Sequence, residues 1–145
     1  MNAPLYNQQI LRLAASVPPE RLTAPMAVVE KRSPVCGSRV TVDVDVDASG
    51  RVSAIGLLVR ACALGQASSA LMAAHAPGLT ATELAAAQGA LTAWLAGEGP
   101  VPDWPGIEVF GPALPHRARH ASIRLAFEAV AEAAAIAVVQ AASPQ

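Results

Sequence analysis

At 145 residues the chain has room for one domain with a real core and is too short for two of ordinary size. A composition of 53% hydrophobic and 14% charged residues excludes a disordered chain, and only 3% aromatic content favours closely packed alanine-rich helices over a large aromatic pocket. Ten basic against eleven acidic residues give a net charge of −1, so no basic excess draws the chain onto nucleic acid or anionic lipid.

Residues 5–17 carry a helical stripe of Leu5, Tyr6, Ile10, Leu13, Ala14 and Val17, started by Pro4 and stopped by Pro18 and Pro19. Nothing in this N-terminal stretch resembles a basic start followed by an unbroken apolar run, so no signal peptide is expected and the cytoplasm is the expected compartment. Residues 26–32 read as a first strand. Val40, Val42, Val44 and Val46 then alternate with Thr41, Asp43, Asp45 and Asp47, a period of two. Aspartate is a poor strand former, so the three aspartates are expected to face water. Asp47-Ala48-Ser49-Gly50 supplies a turn, and residues 51–59 return as the second arm of a hairpin.

After Arg60 the pattern becomes helical. Residues 62–75 form an alanine-rich helix that ends before Pro77-Gly78. Thr80 or Thr82 can cap the next helix, and Glu83 three residues after Thr80 fits a capping box. That helix runs to Leu95 and stops at Gly97. Residues 99–105 hold three prolines and read as a loop, followed by a short segment over 107–110 and a last helix over 116–140. The apolar stretch 133–139 is too short by itself to cross a bilayer. The order of helix, three strands, then helices predicts an α+β domain over 1–145, a small three-stranded antiparallel sheet with helices on one face.

Cys36 stands in Ser33-Pro34-Val35-Cys36-Gly37-Ser38, between the first two strands. It reads either as a thiolate on a Pro/Gly-shaped loop, able to bind metal or accept sulfur, or as a small apolar loop residue. Cys62 opens the first turn of a helix, where unpaired N–H groups favour an anion. In an antiparallel meander the two thiols fall at the same end of the sheet. His116 and His120, four apart and flanked by Arg117, Arg119 and Arg124, read either as a shared ligand face or as a solvated basic helix end. His75 reads as a dipole partner at a helix C-terminus. The sequence holds no paired carboxylates, phosphate loop, nucleophile elbow or CxxC, so no enzyme activity is expected.

Taken together these segments resemble the U-type iron–sulfur cluster scaffold family, the IscU, SufU and NifU N-terminal kind, over roughly residues 5–140. In that family the first cysteine lies in Asn-Pro-x-Cys-Gly-Asp and the second in a Gly-Cys-Ala segment followed by small residues. Here they read Ser33-Pro34-Val35-Cys36-Gly37-Ser38 and Ala61-Cys62-Ala63-Leu64-Gly65-Gln66-Ala67-Ser68-Ser69. Leu114-Pro115, a basic stretch and the last helix complete the likeness. The resemblance implies Cys36 and Cys62 as cluster-binding thiols, with His120 completing a metal-ligand set. It implies an Fe–S cluster or iron as cargo, with zinc as a possible occupant. Implied partners are a cysteine desulfurase and Fe–S acceptor proteins, with self-association into a homo-oligomer also possible. Nucleic acid and membrane are not expected partners.

Two departures stand out. The family's acid after Cys-Gly is Ser38, and its third cysteine is absent. Anchoring on Leu114-Pro115 puts His120 at the family's histidine and Ala121 at the third cysteine; anchoring on Leu125-Ala126 puts Ser122 there instead. The alternatives to a scaffold or carrier are an interaction protein that kept the fold without the metal site and a zinc-binding partner of the desulfurase.

Overall fold

The computed structural model describes residues 7–18, 20–34 and 37–142. Helix α1 (Gln8–Ala15) is capped by Asn7, whose side chain accepts the Ile10 N–H at 3.0 Å, and it buries Ile10. The expected residues 4–6 at its start lie outside the described residues. Strands β1 (Ala27–Arg32), β2 (Arg39–Val46) and β3 (Val52–Arg60) form one antiparallel sheet in the order β1-β2-β3. The central strand is therefore β2 alone, and β3 is an edge. Val40, Val42 and Val44 are fully buried, as their alternation requires.

Helices α2 (Ala63–His75) and α4 (His120–Ala142) cover that valine face, and α3 (Ala81–Leu95) lies outside α4. Helix α4 lies on β1 and β2, with α2 and α3 packed against it and α1 against α2. Thr80 caps α3 with a complete capping box: Glu83 N–H donates to Thr80 Oγ1 at 3.2 Å, and Thr80 N–H donates to Glu83 Oε1 at 3.0 Å. The last helix starts later than its sequence pattern predicts. Pro115 and a 3-10 turn over Arg117–Arg119 hold His116 outside the helix, so His116 and His120 do not share a helical face.

By length and composition 117–142 could span a bilayer, its most apolar 18 residues having a mean hydropathy of 1.6. The stretch 133–139 is thus part of a longer apolar helix, and packing rather than shortness disposes of its apolar face. Ala129, Val130, Ala133, Ala134 and Ala137 are buried against the sheet and neighbouring helices. On its flank Glu132 pairs with Lys31 of β1 at 2.7 Å.

The opposite face of the sheet differs from expectation. Asp43 does not face water; it is completely buried. Residues 20–22 cross that face, and the Arg21 guanidinium forks onto Asp43 with two contacts of 2.7 Å. Leu22 N–H donates to the same carboxylate at 3.0 Å, and Met26 N–H donates to Asp45 at 2.9 Å. Only Asp47, in the β2–β3 turn, is exposed as expected. Gly56, the cross-strand partner of Asp43, makes the crossing possible: a Cβ there would lie 2.5 Å from Leu22 N and 2.7 Å from Asp43 Oδ2.

Candidate functional site

The β1–β2 loop and the end of β3 lie at one end of the sheet. Arg32 pairs with Arg39 and Arg39 with Arg60, so Cys62 follows two residues after the last rung. The loop is closed at its base by the Ser33 N–H donating to Ser38 O at 2.8 Å, and Gly37 takes φ +73 there. Cys36 itself, with Val35, lies outside the described residues. Cys62 is the N-cap of α2, half-buried, in extended conformation, and its side chain makes no capping hydrogen bond.

Helix α4 enters this end tightly. Gly65 lets α2 and α4 approach: a Cβ on it would lie 2.6 Å from Ala61 Cβ and 3.4 Å from Ser122 O. Ser68, buried on α2, donates to Ile123 O at 2.6 Å. This fixes Ser122 against the cysteine loop, where its hydroxyl lies 3.3 Å from that of Ser38, both groups being buried. The two positions at which the family resemblance places an acid and a thiol are thus a pair of hydroxyls. Of the two candidate positions for the third cysteine, Ser122 is the one whose side chain meets Ser38.

His120 is buried at the first residue of α4, with Nε2 at 3.0 Å from both Ala113 O and Leu114 O. Carbonyl oxygens only accept, so in the neutral ring Nε2 carries the proton and Nδ1 keeps the lone pair. The ring therefore ties the preceding loop to the helix and can offer a metal only Nδ1. His116 is exposed, and His75 lies edge-on to Trp104 at 6.3 Å, away from this end. Among the described residues no three His, Cys, Asp or Glu side chains converge as a metal site.

Sequence reasoning missed Arg21, Gly65 and the Ser38–Ser122 pair. The small residues Gly65, Ala67, Ser68 and Ser69 are the one signal that could have announced a close α2–α4 crossing.

A sheet of this topology, with helices on its inner face and a cysteine-capped helix beside the β1–β2 loop, defines a small α+β cysteine-loop domain. No protein-family model matches the chain, and no curated protein matches it. Solved structures do. The structure of a nitrogen-fixing NifU-like protein (N-terminal) from Brucella abortus is 40% identical, with a TM-score of 0.84 over 93% of this chain and 95% of that one. A putative iron–sulfur cluster assembly scaffold protein for the SUF system from thermophilic Fervidobacterium islandicum AW-1 shares the fold at 19% identity, with a TM-score of 0.82 over 90% and 96%. A hypothetical protein of known structure does so at 23% identity, with a TM-score of 0.72 over 90% and 99%. The chain belongs to the U-type, NifU-like iron–sulfur scaffold family.

Proposed function

We propose that this protein is a carrier or scaffold in iron–sulfur cluster assembly, taking sulfur from a cysteine desulfurase and holding iron or a labile cluster as cargo on Cys36 and Cys62. The observation that carries the reading is the 40% identity to the NifU-like protein along 93% of the chain. The placement of Cys62 at the loop end of the sheet, uncommitted to capping its own helix, supports it. His120 can add Nδ1 as a third ligand. Neutral serine hydroxyls at 38 and 122 are poor substitutes for a carboxylate and a thiolate, so the donor set suits a loosely held cargo.

That hydroxyl pair favours a second reading, a zinc-binding or purely interacting partner of the desulfurase that no longer builds clusters. Anaerobic purification followed by iron, zinc and sulfide analysis separates the two. The carrier predicts iron and sulfide that disappear in Cys36→Ser and Cys62→Ser. Zinc alone, or no metal in any preparation, contradicts it.

A further inference from the structure

Arg32, Arg39 and Arg60 are direct cross-strand partners, one on each strand, in the last rung before the cysteine loop. Residues paired in this way project from the same face, here the outer one, because Val40 and Val59 alternate toward the helices. Strands lie about 4.8 Å apart, so three guanidinium-bearing side chains start within about 10 Å of one another. Like charges directly opposite each other work against the sheet. Glu30 is their one carboxylate partner among the described residues, 3.0 Å from Arg32 and 3.8 Å from Arg39; Arg60 is exposed and forms no ion pair there. Charged side chains on β1 and β3 can be explained as protection of sheet edges. Arg39 on the central strand cannot. Next to Arg60 on the same face, Leu58 (40% exposed) presents apolar surface, and Val28 (49% exposed) lies farther along β1, opposite Asp43.

We propose that this arginine rung with its apolar flank docks an acidic helical segment of a partner protein. Carboxylates one helical turn apart are separated by about 5–6 Å, close to the strand spacing, so one face of such a helix can meet successive guanidinium groups. Arginine is among the residues enriched at protein interfaces. The net charge of −1 and the neighbouring Glu30 carboxylate disfavour a phosphate backbone. The rung lies where β1 ends, β2 begins and β3 ends, two residues before Cys62; the proposal does not depend on what the thiols carry.

The test uses the intact protein and a fluorescent synthetic helix with glutamates at i, i+4 and i+7 and leucines beside them. A peptide of identical composition with its glutamates dispersed around the helix is the reference, and a short labelled DNA duplex is the third probe. The patterned peptide is expected to bind at least about tenfold tighter than the dispersed one. Its affinity should fall with added salt and drop about tenfold or more in Arg39→Gln/Arg60→Gln, while Arg12→Gln leaves it unchanged. The melting temperature of the double variant should be equal to or above that of the parent, because like-charge repulsion is relieved. Equal binding of the two peptides, an unaffected double variant, or a duplex that binds tighter than the patterned peptide overturns the proposal.

Discussion

Asp43 is a carboxylate with no water around it, so its charge survives only through Arg21 and the Leu22 N–H. The hydrogen bond from Arg21 is the main cause that holds its pKa below the ordinary carboxylate range; burial opposes this, and the Leu22 N–H assists. A depressed folded pKa means that the pair's stabilisation is complete above the unfolded value of about 3.9 and is lost as pH falls below it. Stability should therefore drop as pH falls from about 4, and Arg21→Met should weaken that acid dependence while destabilising the fold by about 3 kcal/mol at neutral pH. Denaturant titrations from neutral to acid pH check both; an unchanged acid limb in the variant contradicts the assignment. His120 makes a second residue-scale prediction. His120→Ala removes the donor shared by two loop carbonyls and should cost about 1–3 kcal/mol, whatever the ring does for metal.

At the scale of elements, two glycines set how closely backbones approach. Gly56→Ala pushes a methyl group into Leu22 N and Asp43, so the strap over the sheet must lift; a loss of about 1–3 kcal/mol is expected in thermal or denaturant unfolding. An Ala variant as stable as the parent contradicts the crossing. The strands and the Thr80 cap were legible in the sequence because each is a local pattern: β-branched alternation for β2, and a Thr-x-x-Glu spacing for α3. The burial of Asp43 was not legible. It depends on a strap more than twenty residues away in the chain, and Asp43 has the same local pattern as exposed Asp47. The late start of α4 was hidden similarly, since the basic run 117–119 has no apolar phase to distinguish a 3-10 turn from a helix. Of the site, the likeness pointed to Cys62, but the contact of Ser122 with Ser38 depends on the α2–α4 packing that Gly65 and Ser68 create.

For the whole molecule, that packing turns two departures from the family pattern into one structural feature. Ser38 and Ser122 meet across the end of the core, so an acid and a thiol restored there would converge on the same place beside the cysteine loop. A [2Fe–2S] cluster usually takes four good ligands, most often thiolates. The most direct measurement is anaerobic reconstitution with iron and sulfide, followed by visible absorption as air is admitted. It compares the parent with Ser38→Asp/Ser122→Cys and with Ser38→Asp/Ala121→Cys. The account predicts a cluster that bleaches rapidly in the parent, persists at least about tenfold longer in the Ser122 variant, and gains far less from Ala121. A parent cluster stable in air, or equal lifetimes in all three proteins, would contradict it.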